Sequence, residues 1–190
     1  MSANTTESPR FNGSMRFLHW LMALLVLAML GIGVAMVASL ADYHALVSLH
    51  RPLGILILIL VVIRFVNRCF STLPPFPASM SPQERLIAHA SELLLYTLLF
   101  VQPLVGWAML SAARYPIVMF GSFHLFPILP HNVALYALLR KAHTYIAYLL
   151  FLAFIAHFGA ILFHTLVLRD GLIRRMLPGG HHLASSETKE

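Results

Sequence analysis

Four long stretches with almost no charge constrain this chain more than any other feature. They run from Phe17 to Ala41, from Tyr43 to about Phe65 with Arg51 inside, from Leu86 to Ala113 with Glu92 inside, and from Ala142 to Leu168. About 20 helical residues cross a hydrocarbon core roughly 30 Å thick, so each stretch is long enough to span a bilayer. The expected fold is therefore an all-α membrane protein, a bundle of four transmembrane helices.

Composition agrees. Of 190 residues, 59% are hydrophobic and only 11% charged, and the mean hydropathy is +0.79, whereas soluble domains carry about a quarter of their residues as charges. One domain over residues 14–178 accounts for the chain, between polar tails 1–13 and 179–190 that are read as disordered. No repeat and no second domain is visible. The segment Tyr115 to Tyr136 holds Pro116, Pro127, Pro130, Gly121 and two histidines, and is expected to be an interfacial loop with short helical pieces. The first apolar run follows Arg10 and Arg16 and has small residues at Ser39 to Ala41, as a signal peptide does. It is longer than the usual 7 to 15 residues of a signal core and is read as a retained span.

The formal charge is +6 and the pI near 10.0, but the basic residues sit at the ends of apolar runs rather than in one patch, which speaks against a nucleic-acid partner. They report topology instead. An even number of spans puts both termini on one side, with Arg10, Arg16, Arg64, Arg68, Arg85, Arg169, Arg174, Arg175 and Lys189, nine cations against Arg51, Arg114, Arg140 and Lys141 on the other. The positive-inside rule then makes both termini cytoplasmic. Cys69 is the single cysteine, which excludes an internal disulfide, a cysteine-rich metal site and covalent haem attachment through C-x-x-C-H.

The 11 histidines are not equivalent. His44, His124 and His131 fall in outward loops and His181 and His182 in the tail, where a solvated side chain is the simple reading. His19, His50, His143, His157 and His164 fall within spans, where an ionisable group is costly and points to function. A single buried imidazole is commonly just bonded across helices. Five with the following spacing are harder to dismiss.

His143 and His157 are 14 residues apart on one helix, about 40° apart in azimuth and roughly 21 Å in height. They share a face at two depths. His19 lies about one turn inside the cytoplasmic start of the first span and His50 about one turn inside the outer start of the second. Matching depths pairs His50 with His143 and His19 with His157, and each pair can give two axial nitrogens to an iron held between helices. Two non-covalent, bis-histidine haem b groups follow, stacked across the membrane and suited to electron transfer because neither iron keeps a ready vacancy for dioxygen. His164, seven residues beyond His157, returns to nearly the same face and competes for the inner position.

With these residues in hand, the chain resembles the bacterial cytochrome b561 family of stand-alone di-haem membrane proteins over about residues 14 to 178. The carriers are Phe17-Leu18-His19-Trp20, Leu49-His50-Arg51-Pro52-Leu53-Gly54-Ile55, Arg64 with the following proline-rich turn, Ala142-His143, Ala156-His157 and Arg169-Asp170-Gly171-Leu172-Ile173-Arg174-Arg175-Met176-Leu177-Pro178. None is specific alone; their order and spacing are. The resemblance implies haem ligation by His19, His50, His143 and His157. It also implies oxidoreduction of quinone in the bacterial cytoplasmic membrane and, for one branch, oxidation of superoxide with electrons passed to ubiquinone.

Arg51, Arg140 and Lys141 adjoin the outer ligands, where positive charge can steer a small anion or offset haem propionates; the plain alternative is snorkelling to headgroups. Candidate quinone residues near the inner haem are His164, Trp20, Arg16 and His89, although Trp20 and Tyr96 also suit interfacial packing. Glu92 is expected either to take up protons or, more simply, to pair with Arg85. Pro103 and Gly106 are expected to kink the third helix and allow close packing. Beyond lipid, ubiquinone and a small reductant, partners expected are a second copy or a redox protein. A rival function is a haem-bearing anchor subunit passing electrons between quinone and a soluble dehydrogenase or hydrogenase. A histidine-lined metal transporter is the third reading, weakened because only Glu92 offers a carboxylate inside a span.

Overall fold

A computed structural model describes residues 10–77, 80–119, 121 and 123–177. Four helices dominate it: α1 (Gly13–Ala38), α2 (Tyr43–Cys69), α3 (Pro82–Ala112) and α4 (Val133–Leu162). All four are long and apolar enough to cross a membrane, and only 6% to 11% of the residues in their most apolar windows are buried inside the protein. Side chains such as Leu24, Val37, Leu93 and Leu152 are largely exposed. Such an apolar exterior is matched by hydrocarbon, so the bundle turns its greasy surface to lipid.

Local chemistry fixes where three helices start. The Asn12 side chain accepts a hydrogen bond from the Met15 amide at 2.8 Å, opening α1. Ser81 and Glu84 close a reciprocal capping box around Pro82, opening α3. Asn132 accepts from the Leu135 amide at 2.9 Å, opening α4. Residues 10–13, expected in the tail, are thus partly in the domain: Asn12 caps α1 and Gly13 is its first residue. Residues 1–9 and 179–190 of the expected tails, with Pro178 of the expected domain, lie outside the described residues.

The segment between α3 and α4 differs from expectation. Instead of helical pieces it forms a small antiparallel hairpin, β1 (Ile117–Met119) with β2 (Phe123–Leu125), in the register Ile117 to Leu125 and Met119 to Phe123. The β-branched Ile117-Val118 favours extended backbone, and Gly121 takes the positive φ of 83° that the tight turn requires. Ile117 and Met119 are buried with Ile55 against Trp107 and Leu110, so the hairpin caps α2 and α3. The helix beyond also starts earlier, at Val133 rather than Ala142. Arg140 and Lys141 therefore ride on the outer turns of a continuous helix.

α1 packs on α2, α2 on α3 and α3 on α4, while α1 and α4 touch little among the described residues. Leu98 of α3 meets Leu150 and Ala153 of α4 in one buried cluster. Past α4 the chain widens into a π-helical turn (Phe163–Leu168), reverses through Arg169 and Gly171 with φ of 52° and 74°, and ends in a 3₁₀ turn (Leu172–Arg175). Phe11 and Arg175 are joined backbone to backbone at 3.3 Å, so both described ends lie at the same end of the bundle, opposite the hairpin.

Candidate functional site

Toward the hairpin end, His50 of α2 and His143 of α4 face one another with ring centroids 6.2 Å apart and planes at 73°. Two metal–nitrogen bonds of about 2 Å with half an imidazole on either side span roughly 6 Å, so the gap suits a single iron. Both rings line an apolar cavity to which all four helices contribute, through Val26, Leu30, Ile57, Leu99 and Leu150 among others. Among the described residues the Nδ1 atoms of both histidines are buried without a hydrogen-bond partner, a costly state that invites a further group. Donor type, spacing and apolar walls therefore fit a haem.

Two α3 residues join this site, Gln102, which the sequence reading does not single out, and Gly106, expected there to allow close packing. Gln102 donates from Nε2 to the His143 backbone carbonyl at 3.0 Å. Gly106 lies so near the His143 ring that a Cβ added there would come within 3.1 Å of Cε1. A glutamine within a span is itself a signal of this kind, although its partner 41 residues away is not.

Toward the other end lie His19 of α1, Arg64 of α2 and His157 of α4. Like α2 and α4, the two helices that carry these histidines are not packed directly on each other among the described residues. Arg64 is held by Nε donation to the Tyr96 hydroxyl at 3.0 Å, with its guanidinium 5.7 Å from the Tyr96 ring centre. Of the two pairs that depth matching gives, the fold sets His50 and His143 ring to ring. Glu92, by contrast, pairs with Arg68 at 2.7 Å and not with Arg85. Arg85 is seven residues away, two turns rather than one, and turns back to donate to the Met80 and Pro77 carbonyls.

The quinone candidates fare unequally. His164 Nδ1 lies 2.6 Å from the Asp170 carboxylate, with both side chains largely buried. The other carboxylate oxygen accepts from the Leu172 amide at 3.0 Å. The π-helical turn positions His164 for this contact, as widened turns often do at functional places. Trp20 commits its only N–H to the Met176 carbonyl at 2.7 Å, and Arg16 donates to the Leu177 carbonyl at 2.9 Å. These two therefore tie down residues 176 and 177. Arg175, buried, donates to the Pro75 carbonyl and sits 6.0 Å above the Phe11 ring; burial pushes its guanidinium below the usual range. His89 is exposed and packs edge-on to Phe76 at 4.9 Å.

At the hairpin end, Arg51 donates to the Pro116 carbonyl at 3.3 Å and adds its charge to the field at His50. Arg140 and Lys141 are exposed on α4. Four cations, Arg51, Arg114, Arg140 and Lys141, share this end with Asp42 alone among carboxylates. Asp42 is occupied by the Ser39 hydroxyl at 2.8 Å.

Among known proteins, the family described as prokaryotic cytochrome b561 matches residues 10–179. Cytochrome b561 homolog 2 of Escherichia coli (strain K12) is 35% identical over 163 residues, covering 84% of this chain and 86% of that protein. A probable superoxide oxidase CybB of Yersinia pestis is 29% identical over 166 residues, 85% of this chain and 92% of that one. Cytochrome b561 homolog 1 of E. coli is 26% identical over 176 residues, 89% of this chain and 97% of that one.

Proposed function

The chain belongs to the prokaryotic cytochrome b561 family, membrane cytochromes that carry b-type haem, and from that membership we propose that it oxidises superoxide at the hairpin end and reduces ubiquinone at the other. It is a multi-pass electron-transfer protein of the prokaryotic inner membrane. The observation that carries the finer reading is His50 facing His143 with ring centroids 6.2 Å apart, with His19 and His157 taken as the second pair from their depths along the helices. Each pair would hold one haem, which when bound supplies one-electron exchange between ferric and ferrous iron. Overall, two superoxide anions lose one electron each to become dioxygen, and one ubiquinone takes two electrons and two protons.

The protein's own residues divide this work. Arg51, Arg140 and Lys141 make the hairpin end attractive to a small anion, with little carboxylate to offset them. The apolar walls around His50 and His143 keep water from the site. Arg64 adds positive charge beside the inner pair, next to the Tyr96 hydroxyl. His164 and Arg16 are the quinone donors of choice, since Trp20 spends its only N–H on the strap at 176 and 177 whereas the buried Nε of Arg16 has no partner among the described residues. The Asp170 partner of His164 fixes the ring.

The relative called a probable superoxide oxidase supports superoxide as the reductant. The test is to add superoxide to purified protein in detergent with ubiquinone present, following haem reduction and quinol formation. Rapid reduction with ubiquinol accumulating is expected. Haem that stays oxidised would remove superoxide from the account, and co-purification of a large soluble dehydrogenase or hydrogenase would favour the anchor-subunit role instead.

A further inference from the structure

We propose that Gln102 and Gly106, four residues apart on α3, are positioning residues that set the height and ring placement of His143 and so tune the outer haem. The inference rests on the reading of His143 as an outer ligand. Residues at i and i+4 on a helix lie on one face, and here that face meets one residue of α4 at two points. Gln102 grips the His143 backbone carbonyl at 3.0 Å, while Gly106 makes room for the ring, with 3.1 Å to Cε1 and 3.4 Å to Nδ1 from any Cβ placed there. One contact fixes the main chain and the other limits where the imidazole can stand. Pro103 between them lines the same cavity.

Chemistry decides the orientation of the amide. A backbone carbonyl only accepts, so the Gln102 nitrogen must face it and the oxygen must face elsewhere. That oxygen is buried and without a partner among the described residues, in a side chain that lines the cavity shared by His50 and His143. A fixed carbonyl dipole beside a haem favours the more positive ferric state when its oxygen is the nearer end. Loss of the Gln102 amide should therefore raise the outer potential. A tether between α3 and α4 inside hydrocarbon also costs little to keep, because no water competes for it.

Both effects can be read without any turnover. Potentiometric titration and the low-spin electron paramagnetic resonance signals report each haem separately, with haem content per chain alongside. Gly106→Ala is expected to move the outer haem's signal and potential while leaving the inner haem as it was. Gln102→Leu, close in size, is expected to shift the outer potential upward, and Gln102→Asn to restore it in part. Gly31→Ala is the comparison, because a Cβ there meets nothing within 4 Å, and it should leave both haems unchanged. Two haems with wild-type potentials and signals in both Gly106→Ala and Gln102→Leu would overturn the proposal. His143→Ala separates the possible failures. If it leaves the outer haem in place, the ligand reading is wrong; if it removes that haem while the α3 variants change nothing, only the positioning role is lost.

Discussion

His143 meets three different demands at one position. Its ring faces His50 at 6.2 Å, its backbone carbonyl anchors Gln102, and its edge fills the space left by Gly106. Replacing His143 by alanine should therefore lower the haem content from two per chain to one, with the remaining haem keeping its potential; haem quantitation beside a redox titration checks this, and an unchanged content of two contradicts it. The depths of the four paired histidines could be read from sequence because helical rise is constant. Side-chain partners across helices could not. Whether Glu92 pairs with Arg85 or Arg68 depends on the rotation of α2 against α3, which no spacing within one helix records. The same holds for His164 and Asp170, whose contact needs a widened turn and a reversal at Arg169.

At the scale of elements, the end of α3 stores a small strain. Arg114 adopts a φ of 57°, and the amides of Arg114 and Tyr115 return to the carbonyls of Ser111 and Leu110, both at 3.0 Å. This is the left-handed helix ending at which glycine is normal. Since that conformation costs an L-residue roughly 1 to 2 kcal/mol, Arg114→Gly should stabilise the protein by about 1 kcal/mol, seen as a higher thermal midpoint in detergent. A lowered midpoint would mean that the arginine side chain contributes more than its backbone costs. The four spans were legible because charge is nearly absent from them. The hairpin was obscured because Pro116, Pro127 and Pro130 signal irregular backbone equally well whether it is helical or extended. The early start of α4 was obscured because Arg140 and Lys141 look like the end of a span, while long basic side chains on a helix can reach the headgroups.

The molecule as a whole is polarised. The hairpin end carries four cations against Asp42, and the other end gathers both described termini, the His164–Asp170 pair and the strap held by Trp20 and Arg16. If superoxide is drawn by that field, its second-order rate should fall as salt rises from about 0.01 M to about 0.1 M, where the screening length shrinks from about 30 Å to about 10 Å. Arg140→Glu with Lys141→Glu should lower the rate by about tenfold or more at low salt, and flatten the salt dependence, measured by stopped-flow haem reduction. A rate indifferent to both salt and charge reversal would remove steering. Sequence revealed this polarity through the positions of the cations, but not which of them are already bonded, as Arg51 is to Pro116.

The central claim is that two histidine pairs hold two haems at different depths. The most direct measurement is the dithionite-reduced minus oxidised spectrum of the purified protein with haem quantified per chain. B-type bands and two non-covalently bound haems are expected; the absence of such bands, or a single haem per chain, would rule out two histidine-held haems.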